Sequence, residues 1–148
     1  MPKTAVVDTS CFIAFSALDL LDLLCNLYDE IIIPAGVLKE FGDLKLPCLK
    51  IETVNNPLVD LLIHEANLGR GESEVIALAH ETGKFAVIDD QKARHVAKEM
   101  GIKITGTIGL LLKAKEKGII DSVYEKVLEL KNKGFYVSDS LLAQIREK

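Results

Sequence analysis

Ile31-Ile32-Ile33-Pro34-Ala35-Gly36-Val37-Leu38-Lys39-Glu40, residues 31–40, is the stretch on which the fold turns. Three consecutive isoleucines leave no polar face, so the strand they predict is buried on both sides, as strands of a helix-covered parallel sheet are. Pro34 suits the first turn of a helix. Val37, Leu38 and Phe41 then share one side, which predicts a helix to about Gly42. Strand running straight into helix is the repeating unit of an α/β protein.

The same unit recurs to either side. Ala5-Val6-Val7 predicts a buried strand ending at Asp8, and Ser10 is placed to cap a helix reaching about Asn26. Beyond residue 48 the pattern predicts a strand over 49–54, then helices over 57–67 and 72–82, with Gly83 as a stop. Phe85-Ala86-Val87-Ile88 predicts a strand ending at Asp89-Asp90, followed by a helix to Met100 and a short strand at Ile102-Lys103-Ile104. Helices are expected at about 107–117, 121–133 and 139–147. The expectation is a mostly parallel sheet covered on both faces, a three-layer α/β/α sandwich. No repeat or Pro/Gly/Ser-rich linker divides the chain, so residues 1–148 are expected to form a single domain that includes the C-terminal helices.

A chain of 148 residues is long enough to fold on its own core, without a structural metal or disulfides. Apolar residues make up 49% and Trp is absent, so that core must come from Leu, Ile, Val and Ala. The three cysteines, Cys11, Cys25 and Cys48, have no metal-ligand spacing. Cys11 and Cys25 lie in apolar stretches, where a free thiol acts as a small hydrophobe. The apolar runs are far shorter than the roughly 20 residues that span a bilayer, and no leader precedes the first strand, so a cytoplasmic location without membrane contact is expected. The net charge of −4 argues against a dedicated basic nucleic-acid binder but suits a protein that gathers carboxylates in one place.

Ligands of open α/β sheets bind beyond the carboxyl ends of the strands. Asp8 is the first residue past its strand, and Asp89 and Asp90 are the first past theirs. Glu40 lies on the helix after the second strand, and Glu72 opens a helix behind Gly69-Arg70-Gly71. Each acid alone has an ordinary role available: Asp8 and Asp90 as helix caps, Glu40 as a solvated helix acid, Glu72 as a first-turn acid favoured by the helix dipole. Together, four acids from four segments converge on one rim. Carboxylates so gathered repel, and an all-oxygen set suits Mg²⁺ or Mn²⁺. The chemistry that follows is metal-assisted phosphodiester hydrolysis.

At these residues the sequence resembles a PIN domain. The resemblance rests on Val6-Val7-Asp8-Thr9-Ser10, on Pro34 to Glu40, and on Glu72-Ser73-Glu74-Val75-Ile76-Ala77-Leu78-Ala79, with Asp90 eighteen residues after Glu72. Further pieces are Ala93-Arg94, Thr105-Gly106-Thr107-Ile108-Gly109-Leu110-Leu111, Ala114-Lys115-Glu116-Lys117-Gly118 and Gly134-Phe135-Tyr136, which resemble a prokaryotic subgroup. The resemblance implies a Mg²⁺- or Mn²⁺-dependent ribonuclease with Asp8, Glu40, Glu72 and Asp90 as catalytic acids and Asp89 as a further metal ligand. It also implies a small antitoxin protein as partner and a homodimer. Two departures stand out: Glu72 replaces the usual Asp, with Glu74 as a competitor, and the fourth acid is the pair Asp89-Asp90.

Around the rim, Thr9, Ser10, Arg70, Arg94 and Thr107 are the candidate substrate contacts, with Lys92 and His95 more ordinary surface residues. Arg94 is equally suited to bracing a neighbouring acid, and Thr107 to presenting a backbone N–H to phosphate. A phosphoacceptor receiver lacks its further Asp and Lys here, a haloacid-dehalogenase-like phosphatase lacks D-x-D-x-T at Asp8-Thr9-Ser10, and the P-loop motif is absent. The rival from another class is a PIN-like module that binds RNA or protein without cutting.

Overall fold

The computed structural model describes residues 4–41 and 44–146; Gly42, where the helix after the second strand was expected to stop, lies outside the described residues. Five parallel strands stand in the order β3-β2-β1-β4-β5: β1 (Thr4–Val7), β2 (Glu30–Pro34), β3 (Leu49–Glu52), β4 (Phe85–Val87) and β5 (Ile104–Thr105). The three-layer expectation holds. Ile31, Ile32 and Ile33 are each at most 3% exposed, because β2 pairs on both edges and is covered on both faces.

Right-handed crossovers place α1 (Thr9–Ala17) and α3 (Ala35–Phe41) on one face of the sheet. α4 (Leu58–His64), α5 (Arg70–Thr82) and α6 (Gln91–Glu99) cover the other, with α5 packed on β1, β2 and β4. α7 (Thr107–Glu116) packs on α1 and on α2 (Leu24–Leu27), and is followed by α8 (Val123–Asn132) and α9 (Asp139–Arg146). Phe12, Phe15, Leu24, Ile76, Leu110 and Leu111 fill the layers between helices and sheet, fully or almost fully buried. Burying an aliphatic or aromatic side chain of this size contributes about 1.5–3 kcal/mol.

Two expectations need correction. The helix foreseen from Ser10 to Asn26 is broken: α1 ends at Ala17, Asp19 turns left-handed at φ 58°, and a 3-10 turn at Leu21–Leu23 leads into α2. The break lets Leu18, Leu23, Leu24 and Leu27 all reach the core, which one straight helix would not allow. The apolar run that suggested continuity reports burial alone.

Cys25 is not a free thiol; it is bonded to Cys48 across 23 residues. The closed loop contains β2 and α3, so the bond ties down the segment that carries Glu40. Chain-entropy arguments assign roughly 3 kcal/mol to a loop of this size. Urea unfolding under reductant is therefore expected to show a stability lower by about 3 kcal/mol than in its absence. An unchanged midpoint would mean that the two thiols are not joined in solution. Cys11 is free and buried, as expected.

Candidate active site

The chain steps from β1 to β2 and β3 on one side, then returns to place β4 and β5 on the other. The point where the order reverses, between β1 and β4, is where open α/β sheets bind ligands at the carboxyl edge. Asp8 and Asp89 stand there. Val7 is level with Val87, and the Asp8 N–H donates to the Val87 carbonyl at 3.1 Å, which carries the pairing one step past the strand ends.

Asp8 is 7% exposed and caps α1, its Oδ1 accepting from the Thr9 N–H at 2.8 Å. Ser10 was expected to be the cap; its hydroxyl instead donates to Asp89 Oδ2 at 3.2 Å. Thr107, expected to face a phosphate, gives both its groups to Asp89. Its N–H donates to Oδ1 at 2.7 Å and its hydroxyl to Oδ2 at 2.5 Å. Thr107 is only 5% exposed, and in this arrangement it orients Asp89. Hydrogen bonds to a charged group contribute about 1.5–3 kcal/mol each, so Asp89 is held in one orientation.

Arg94 also turns inward, its Nη1 donating to the Ile88 carbonyl at 2.9 Å just before Asp89. This contact braces the end of β4. Gly106 permits this crowding, since a Cβ there would stand 2.7 Å from Asp89 Oδ1 and 2.8 Å from Arg94 Nη1. Cys11 lies beneath, hydrogen-bonded with Thr107; burial, then the nearby Asp89 and Asp8 carboxylates, push its thiol well above the usual range. It stays a neutral thiol.

Asp90 is exposed and caps α6, accepting from the Ala93 N–H at 2.9 Å. The two members of the acidic pair thus have different work: Asp89 points into the rim, and Asp90 is occupied by its helix.

α5 runs against the strands, so its N-terminal turns lie at the carboxyl edge with the acids. Residues two apart on a helix do not face the same way. Glu72 Oε1 turns back to accept from the Gly69 N–H at 3.1 Å, as a capping acid does. Glu74 faces inward, 7% exposed, against Gly36 in the first turn of α3. Gly36 is two residues beyond Pro34, and the β1–β2 register brings Pro34 level with Asp8. Glu74 Oε2 is 3.8 Å from Arg70 Nε, while Oε1 is buried without a hydrogen-bond partner among the described residues. Leaving a buried charged acceptor unsatisfied costs about 1–3 kcal/mol or more, so Oε1 keeps its capacity to accept a further partner.

Glu40 lies on α3 one helical turn after Gly36, which places its backbone on the same side as the Glu74 contact. Its side chain lies outside the described part of the chain. Among the described residues no three His, Cys, Asp or Glu side chains stand together as a metal-holding group. A buried carboxylate at Asp8 and an orphaned carboxylate oxygen on Glu74, beside the α3 face that carries Glu40, nevertheless fit a hard cation. Mg²⁺ needs only one or two protein carboxylates and keeps the rest of its water. Lys92 reaches the Asn67 carbonyl at 3.2 Å, just ahead of α5, and His95 pairs with Glu99 on an exposed face.

This is a doubly wound α/β domain whose acidic rim sits at the topological switch point. The chain belongs to the PIN-domain family: residues 4–148 match a family model described as DUF3368, a PIN domain. Among solved structures, one similar to it is a PilT N-terminus domain protein, SSO1118, from the hyperthermophilic archaeon Sulfolobus solfataricus P2. The identity is 19% and the TM-score 0.48, over 75% of this chain and 92% of the other. No curated protein matches the chain significantly. Among the described residues no helix is long and apolar enough to cross a membrane.

Sequence reasoning passed over Glu74 as the main candidate because the spacing to Asp90 favoured Glu72. Helix periodicity could not separate them, because α5 is buried without a break from Ser73 to Ala79 and both acids have apolar residues three and four positions on.

Proposed function

We propose that the protein is a Mg²⁺- or Mn²⁺-dependent endoribonuclease, with Asp8, Glu74 and Glu40 holding the metal and Asp89 completing the acidic rim. The observation that carries this reading is Glu74 Oε1 in a PIN domain, buried without a hydrogen-bond partner among the described residues, at the edge where Asp8 also lies. A divalent ion held there would supply an acidified water and offset charge on the scissile phosphate.

The chain's own groups prepare that chemistry. Thr9 and the β4 carbonyl fix Asp8; Thr107 and Ser10 fix Asp89. The N-termini of α1, α3, α5, α6 and α7 all follow strand ends or run back to them, so their partial positive charges gather at the same edge. They draw a phosphate backbone towards an otherwise acidic rim. Arg70, the first residue of α5, adds a full positive charge beside Glu74.

A small antitoxin-like protein, a homodimer and cytoplasmic residence belong to the same reading. It is tested by incubating the protein with Mn²⁺ and a mixed-sequence single-stranded RNA. Internal cleavage that EDTA stops and Mn²⁺ restores is expected; intact RNA over a full range of Mg²⁺ and Mn²⁺ would defeat it. The second reading, a module that binds RNA without cutting, draws on Glu72 standing in place of the usual Asp. It predicts RNA binding with no metal dependence.

A further inference from the structure

Beyond β3, the segment 54–60 that runs into α4 lines a cleft of about 400 Å³ together with Arg70, the first residue of α5. That volume is within the roughly 300–1,000 Å³ of small-molecule sites. Its wall includes Arg70, whose Nε also reaches towards Glu74, so the cleft opens directly beside the proposed metal centre. Val54 and Pro57 give it apolar sides, and Asn55, Asp60 and Arg70 give it polar ones.

These polar groups are open to solvent, apart from one that the chain itself uses. Asn56 Oδ1 is used within the chain, accepting from the Leu58 N–H at 3.0 Å, which fixes the turn that presents its neighbours. Asn55 and Asp60 are exposed, and Arg70 keeps 67% of its side chain accessible despite its contact with Glu74. A carboxylate accepts two N–H bonds side by side, and an amide donates one to a carbonyl. That is the complement of the Watson–Crick edge of guanine, with donors at N1 and N2 and an acceptor at O6. Uracil, with two carbonyl oxygens on that edge, would meet the Asp60 carboxylate with an acceptor. None of the described residues that line the cleft is aromatic, so these residues offer a base hydrogen bonds rather than a stacking face.

We infer that this cleft seats an unpaired guanine of the RNA, with Asp60 and Asn55 on its Watson–Crick edge and Arg70 on the adjoining phosphate. The inference rests on the ribonuclease reading and adds to it a base preference next to the cut. Single-stranded RNA is the form in which such an edge is free to be read.

The test is NMR titration of the full chain with 5′-GMP and with 5′-UMP, in EDTA, on the parent, Asp60→Asn and Asn55→Ala. GMP is expected to shift the amides of residues 54–60 and Arg70 and to bind about tenfold more tightly than UMP, the discrimination a good bidentate pair supplies. Asp60→Asn is expected to remove that tenfold difference, and Asn55→Ala to reduce it. Both positions are exposed, so the fold is not at stake. Equal binding of GMP and UMP by the parent, or GMP shifts lying elsewhere, would overturn the inference. RNA cleavage alongside such a result leaves the nuclease standing without its base preference. GMP seated in the cleft of a protein that cuts no RNA supports the cleft and defeats the nuclease.

Discussion

Asp8→Asn is expected to abolish Mn²⁺ binding and RNA cleavage together while leaving the melting temperature within a few degrees of the parent. The contrast follows from the two roles of this side chain. As a helix cap, Asp8 accepts the Thr9 N–H through Oδ1. Asn caps a helix about as well as Asp, so α1 loses little. As a proposed metal ligand it provides a buried negative charge at the centre of the rim, and an amide replaces that poorly. Loss of groups that merely orient metal ligands already lowers affinity about 10–100-fold, so loss of a ligand itself should exceed that. Titration calorimetry with Mn²⁺ and a gel assay on the same preparation check both halves. Equal cleavage by Asp8→Asn and the parent would remove the carboxylate centre from the mechanism.

The second large effect separates Glu74 from Glu72. Glu74→Gln keeps the shape of the side chain and removes its charge, so it should lower metal affinity and cleavage by at least about 100-fold. In the absence of metal the same variant should be no less stable than the parent. An unsatisfied buried carboxylate is a burden that the neutral amide lessens, since one partner, Arg70, stands only at 3.8 Å. The stabilisation that Mn²⁺ confers on the parent, which grows with metal concentration over Kd, should then be missing. Glu72→Ala should behave in the opposite way, cutting RNA at near the parent rate and losing about 0.5–1 kcal/mol through its cap. A Glu72→Ala protein without activity, beside an active Glu74→Gln, would return the third acid to Glu72. Gly36→Ala offers a steric check, because its Cβ would run into the Glu74 carboxylate and push it from its place.

Much of the architecture was legible before any coordinates. Ile31 to Ile33 can hide three apolar faces in a row only at the centre of a covered parallel sheet, and they do. Asp8 and Asp89 follow β1 and β4 because the apolar runs end there, so their arrival at one edge is a consequence of parallel strands. The break at Asp19 was not legible, since the leucines around it are spaced well enough for one helix. The Cys25–Cys48 bond was equally hidden, because a pairing between residues 23 apart depends on where α2 ends relative to β3.

Local pattern, then, determined the strands, the parallel sheet and the segments that carry acids, because burial and period are properties of short stretches of chain. The choice between neighbours in each acidic pair was left to tertiary structure. Glu72 and Glu74 differ by about 200° around α5, so only the packing of α5 on α3 and β1 decides which faces the rim. Asp89 and Asp90 are adjacent, and the approach of Thr107 and Ser10 from distant parts of the chain commits Asp89 to the interior while α6 claims Asp90. Side-chain direction at a site is set by partners far away in sequence, and those partners meet only when the chain has folded.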